Sequence, residues 1–183
     1  MMEGLNLSAY IDVGFSEKEL NLLFENCPEV NKEKNEYLYK PGDILQKVYY
    51  LQKGEIKFFI PQNNGSNRTL FYQREGSYFG VISSFLQIPL VDYCEALKPC
   101  VFLSCPVDIF WERVQKYDLA RKLLALECKK RYLLQLRFVS NNINEFVGFL
   151  INDGLTQQEI ADIIGYSRVQ VSRICSQLKK ESA

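Results

Sequence analysis

Apolar and polar positions fall into three regimes along the chain. Near the N-terminus, Leu20, Leu22, Leu23 and Phe24 follow Ser16 and Glu19. A serine with a glutamate three residues on caps the first turn of a helix, so a short helix is predicted there. From Glu36 the pattern changes to brief runs rich in Tyr, Phe, Ile and Val. These are separated by Pro41-Gly42-Asp43, Lys53-Gly54-Glu55, Asn63-Asn64-Gly65 and Glu75-Gly76. Short strands at this spacing predict a β-sandwich or small barrel. Residues 57–60 and 68–72 flank the Asn-Gly turn and should form a hairpin.

From about Pro106 the period becomes helical. Leu119, Leu126, Leu133 and Ser140 recur every seven residues, with Leu123, Leu136, Val139 and Ile143 on neighbouring rows. Neither Pro nor Gly occurs between Asp108 and Phe146, which predicts one long helix. Lys130 and Arg137 interrupt the seam, so the repeat is not a perfect coiled coil. A long helix leaving a small barrel exposes one stripe, and a second copy of itself would cover it. A parallel homodimer through Leu119, Leu123, Leu126, Leu133 and Leu136 is therefore expected.

The tail carries a third pattern. Thr156-Gln157-Gln158-Glu159 is a capping box opening a helix to Ile164, with Ile160, Ala161 and Ile164 inward. Gly165 supplies a left-handed turn, and Ser167 caps a second helix running to about Lys180, with Val171, Ile174 and Leu178 as its buried stripe. Helix, glycine turn and capped helix at this spacing predict a helix-turn-helix. The outward residues Ser167, Arg168, Gln170, Ser172, Arg173 and Gln177 are nearly all donors without acidic competitors. That set suits the phosphates and base edges of double-stranded DNA, where an ordinary helical hairpin would need only a polar face.

Composition narrows the chemistry. The chain has 183 residues, 47% of them apolar, enough for one large domain or a domain with a small appendage. It contains no His, which excludes Ser-His-Asp and Cys-His nucleophiles and any His-bound metal or haem. No acid–base pair or phosphate-cradling loop stands out, so neither catalysis, a metal nor a cofactor is expected. Twenty-two basic and 22 acidic residues cancel, but residues 1–118 carry a net −4 and residues 119–139 a net +5. The six cysteines form no regular framework and read as reduced, mostly buried thiols of a cytoplasmic protein. No apolar run approaches the ~20 residues of a membrane span, and residues 1–10 lack a secretory pattern.

These motifs together resemble the Crp–Fnr superfamily of bacterial transcription regulators. The likeness lies in Tyr39-Lys40-Pro41-Gly42-Asp43, Tyr49-Tyr50-Leu51, Gly54-Glu55-Ile56-Lys57 and Gly76-Ser77-Tyr78-Phe79-Gly80, then in Ser167-Arg168 and Val171-Ser172-Arg173. It implies an α+β chain in three parts: a cyclic-nucleotide-binding-like β-barrel or jelly-roll sensor over 1–107, a long dimerisation helix over 108–140, and a helix-turn-helix DNA-binding domain over 141–183. It implies an inverted-repeat operator and contact with RNA polymerase. DNA contacts would fall on Thr156, Ser167, Arg168, Val169, Gln170, Ser172 and Arg173.

The departures from the family pattern shape the expected function. Cyclic-AMP-binding relatives place Glu directly after the glycine that matches Gly80, and an Arg-Ser pair some ten residues on. This chain has Val81 there and then Ile88-Pro89-Leu90-Val91. An apolar site without a cation does not offset the desolvation of a cyclic phosphate. The iron–sulfur branch needs an N-terminal cysteine cluster, and only Cys27 precedes the barrel. A small non-nucleotide effector would meet Phe71, Tyr78, Phe79, Gly80, Val81, Phe85, Leu90, Val91 and Tyr93, with Lys130, Arg131 and Tyr132 approaching from the long helix. The same aromatics would serve equally as barrel filling. A thiol switch among Cys94, Cys100 and Cys105, with Lys98 as the basic neighbour, is a further alternative. So is a protein of this fold that has lost DNA binding. Relatives that read a G·C-containing half-site usually have Glu where Val169 stands, and Val packs instead on a thymine methyl, which favours A·T there. Asn152-Asp153-Gly154 runs directly into Leu155-Thr156, so the family's β-hairpin before the reader, and the β-wing after it, are both expected to be missing.

Overall fold

The computed structural model describes residues 14–62, 65–139, 143–152 and 154–181, with the backbone alone for 132–139, 145 and 181. The elements run α1 (Glu17–Phe24), β1 (Glu29–Lys32), β2 (Tyr37–Tyr39), β3 (Lys47–Lys53), β4 (Glu55–Pro61), β5 (Asn67–Arg74) and β6 (Tyr78–Phe79). They continue with α2 (Val81–Leu86), β7 (Tyr93–Ala96), β8 (Cys100–Pro106), α3 (Val107–Lys116) and α4 (Ala120–Val139). The last three are α5 (Ile143–Asn152), α6 (Gln157–Ile164) and α7 (Arg168–Glu181).

The strands form two antiparallel four-stranded sheets, ordered β1-β8-β3-β6 and β2-β7-β4-β5. Alternation along each strand sorts side chains between two apolar layers. Leu51, Ile56, Phe58, Phe79 and Phe102 meet between the sheets, with Tyr49 stacked on Phe79 and Phe71 on Phe58. Their neighbours on the opposite face of the first sheet, Val48, Tyr78 and Cys105, pack beneath Leu20, Leu23, Phe24, Phe110 and Val114 of α1 and α3. This is the β-sandwich expected from the strand spacing, in the jelly-roll α+β form that the family resemblance implied. The hairpin forms as predicted, β4 pairing with β5 from Glu55↔Arg74 to Pro61↔Asn67, although Asn63 and Asn64 lie outside the described residues.

The helix predicted as continuous from Asp108 is broken. The N–H of Asp118 bonds the carbonyl of Gln115, and that of Leu119 bonds the carbonyl of Val114. With Asp118 at φ +54, this is a Schellman end in which aspartate takes the left-handed position usually given to glycine. Leu119 then packs in the same cluster as Val114, which fixes the turn from α3 into α4.

That turn decides which face of α4 looks inward. Leu119, Leu123 and Leu126 are buried in the subunit's own core, under α1 and α3. The seam assigned to a partner helix is thus already covered over its first two turns. The exposed leucine there is Leu124, at 65%, beside the exposed Ala125 and Cys128. Leucines stand on both faces of α4, so a heptad count alone does not choose between them. The side chains of Leu133 and Leu136 lie outside the described residues.

Candidate nucleic-acid interface and sensor site

Local chemistry builds the tail. Thr156 caps α6 and Glu159 returns the bond to the Thr156 N–H at 2.7 Å, while Gly165 ends the helix in the left-handed region at φ +76. Ser167 and Gln170 repeat the device on α7. The Gln170 carboxamide oxygen accepts from the Ser167 N–H at 2.9 Å and from its hydroxyl at 3.0 Å, and the Ser167 hydroxyl accepts from the Gln170 N–H at 3.3 Å. Each such cap contributes about 1 kcal/mol. Phe146, Val147 and Leu150 of α5, Ile160, Ala161 and Ile163 of α6, and Val171, Ile174 and Cys175 of α7 close a three-helix core.

The outer face of α7 follows from this. Arg168, Val169 and Arg173 are exposed, with Val169 at 61%, and Ser172 is half-buried. Ser167 and Gln170 are exposed as well, yet their side chains hold each other. The Ser-x-x-Gln spacing that announces this cap is present in the sequence, at the same interval as Thr156 and Glu159. Thr156 is likewise exposed but engaged as a cap. Arg168, Val169 and Arg173 are therefore the freest members of the set. Lys179 and Lys180 lie in the last turn, where cations complement the helix dipole.

The β-sandwich contacts the helix-turn-helix unit through β5. Arg74 pairs with Glu159 at 2.6 Å while also reaching Glu55 at 3.2 Å, and the Tyr72 hydroxyl donates to Asp162 at 3.0 Å. Tyr72 also packs on the apolar cluster of the reader. Burial opposes ionisation of Glu159, but the Thr156 N–H and hydroxyl and then Arg74 outweigh it and hold the carboxyl below its ordinary value. Burial, followed by the bond to Asp162, pushes the Tyr72 phenol up. These contacts fall on α6 and leave the outer face of α7 untouched.

The expected effector wall divides into separate places. Phe79 lies between the sheets, Phe71 is half-buried against Phe58, and Leu90 is half-buried at the edge of that layer. Tyr93 stacks on Phe59 at 5.1 Å on the outside of the second sheet. Phe85 and Val91 are exposed, at 56% and 70%, with Phe85 against Trp111. Gly80 and Val81 join β6 to α2. Tyr78 faces α4, where its hydroxyl donates to Glu127 at 3.0 Å and Lys130 lies 3.7 Å from its ring centre. Burial, opposed by Glu127, lowers the Lys130 ammonium from its ordinary value. Arg131 is exposed, and the side chain of Tyr132 lies outside the described residues. Tyr78 and Lys130 share a recess of about 180 Å³ with Phe15, Gln73, Gly76 and Leu126.

A jelly roll joined through a helix to a capped helix-turn-helix is the architecture of a DNA-binding transcription regulator. Two family models match: a cyclic nucleotide-binding domain over residues 29–117 and a Crp-like helix-turn-helix domain over 119–183. The chain belongs to the Crp–Fnr superfamily. The global nitrogen regulator of Nostoc sp. strain PCC 7120 is 27% identical over 173 residues, covering 81% of this chain and 77% of the relative. The cAMP-activated global transcriptional regulator CRP of Pasteurella multocida is 25% identical over 79% of each chain. Among solved structures, the catabolite activator protein of Thermus thermophilus matches at TM-score 0.58 and 22% identity, over 92% of this chain and 86% of that one. CprK complexed with OCPA matches at TM-score 0.67 and 19% identity, over 91% and 86%, which is a likeness of fold. Both of these curated relatives are named as regulators. No described helix is long and apolar enough to cross a membrane.

Proposed function

We propose that the chain is a homodimeric, sequence-specific DNA-binding regulator whose α7 enters the major groove of an inverted-repeat operator. The exposed N-terminal face of α7 carries this reading: Arg168 and Arg173 are exposed and free among the described residues, while the opposite face is locked into the three-helix core. In a helix-turn-helix this end of the second helix meets the base edges. Arg168 and Arg173 supply bidentate donors, Ser172 a shorter one, and Val169 an apolar contact suited to a thymine methyl. Ser167, Gln170 and Thr156 fix where the two helices begin. The second copy would lie on the exposed stripe of α4 that includes Leu124, Ala125 and Cys128.

The sensor half would answer to a small non-nucleotide molecule. Val81 and residues 88–91 bring no cation to the site where a cyclic phosphate would need one. RNA polymerase is the further partner that such a regulator would meet once seated on its operator.

Selection from genomic DNA fragments tests the reading. Wild-type protein should enrich an inverted repeat, and Arg173→Ala should lose about tenfold or more in affinity for it, the size of one good base contact. Val169→Glu should move the preferred base at its position from A·T toward C·G. Enrichment of no motif, with affinity unchanged by Arg173→Ala, would instead leave a regulator-like fold acting through other partners.

A further inference from the structure

The register between β1 and β8 reaches beyond the ends of β1. Glu29 lies opposite Leu103, and the next pair out is joined by the Ser104 N–H and hydroxyl, which both donate to the Pro28 carbonyl at 3.0 and 3.2 Å. One step further places Cys27 opposite Cys105. Since Pro28 and Ser104 form the hydrogen-bonded pair, Cys27 and Cys105 occupy the non-hydrogen-bonded position, where facing side chains come closest. Such a position suits the short Cβ separation of a disulfide.

A third residue completes the cluster. One guanidinium nitrogen of Arg113, on α3, lies 3.3 Å from the Cys27 sulfur and 3.9 Å from the Cys105 sulfur, and also donates to the Leu23 carbonyl at 2.9 Å. The two thiols differ in access. Cys27 is half-buried and Cys105 is fully buried. Burial, then the neighbouring Cys27 thiol, pushes the Cys105 thiol up to about 12, so it remains protonated. The other cysteines lack this grouping: Cys94 is deep between the sheets, and the Cys100 thiol donates to the Lys98 carbonyl at 3.1 Å and to the Glu55 carbonyl at 3.4 Å.

We infer that Cys27, Cys105 and Arg113 form a hydroperoxide-reactive thiol pair that closes to an intrachain disulfide. The Cys27 sulfur, as thiolate, attacks the distal oxygen of the hydroperoxide. The O–O bond breaks, the leaving alkoxide takes up a proton to become an alcohol, and Cys27 becomes a sulfenic acid. The Cys105 thiol then attacks the Cys27 sulfur. The S–O bond breaks, and hydroxide leaves as water with the Cys105 proton. Two thiols are oxidised by two electrons, and the hydroperoxide is reduced to alcohol and water. Arg113 stabilises the negative charge on the attacking sulfur. This inference is independent of the DNA-binding reading.

The test is mass spectrometry of the full chain after brief treatment with hydrogen peroxide or an organic hydroperoxide, followed by alkylation. Wild-type protein should lose two of its six thiols and yield a linked peptide joining Cys27 to Cys105. Cys105→Ala should stop at a Cys27 sulfenic acid that dimedone traps. Cys27→Ser, at a half-exposed position that tolerates the change, should form no link. Arg113→Leu should slow the reaction about tenfold at neutral pH, with Arg113→Lys recovering part of the rate. Linkage of any other pair, no linkage at all, or a wild-type rate in Arg113→Leu would overturn the inference.

Discussion

Gly54 shows how strictly single residues hold the sensor. It sits between β3 and β4 at φ +112, where an added Cβ would lie 2.5 Å from the Cys100 sulfur and 2.8 Å from the Pro99 carbonyl. Both the backbone and the space reject a side chain. Gly54→Ala should cost about 2 kcal/mol or more, a fall in melting temperature of roughly 4–8 °C for a chain of this size. Glu19 is the electrostatic counterpart. A bond from the Lys122 ammonium, then the Ser16 N–H, hold its carboxyl at about 2, against an ordinary 4.5. A depressed carboxylate stabilises the fold above the unfolded value and loses that contribution as pH falls through the folded one. Glu19→Gln should therefore lower stability by about 1–2 kcal/mol at neutral pH after solvent screening. The deficit should vanish as urea titrations approach pH 2.

At the scale of elements, the break after α3 is the feature that composition conceals. Asp118→Gly should relieve the left-handed strain and raise the melting temperature by a few degrees, whereas Asp118→Val should lower it, as a thermal scan would show. Elements whose signals are local were legible in the sequence: the caps at Ser16 and Thr156, the turn at Gly165, the Asn-Gly hairpin. Their hydrogen bonds close within three or four residues, so residue type and spacing are enough. The Schellman end at Asp118 was not legible, because its bonds are made by backbone and aspartate marks a left-handed position far more weakly than glycine does. The inward face of α4 was hidden by leucines on both sides. Ser167 is legible as the cap of α7, whereas Gln170, which completes that cap, looks by residue type like one more outward donor. The meeting of Cys27 with Cys105 depends on a strand register across most of the barrel, which no short window contains.

At the scale of the whole molecule, β5 belongs to two bodies. Its inward residue Phe71 stacks on Phe58 between the sheets, while Tyr72 and Arg74 hold α6. Arg74→Ala should leave the barrel folded but raise amide hydrogen exchange in α6 by about tenfold, since it removes a charged bond to the cap residue Glu159. Tyr72→Ala should have the larger effect, because it also takes an aromatic ring from the apolar cluster of the reader.

That shared strand sets a rule for exchanging parts with relatives. The two family models meet near residue 118, but the packing does not divide there, because Tyr72 lies on the far side of that line and rests on the reader. A hybrid that joins this sensor to a foreign reader would inherit a tyrosine and an arginine shaped for Asp162 and Glu159. A workable graft must carry matching residues on α6, or rewrite positions 72 and 74 along with everything downstream.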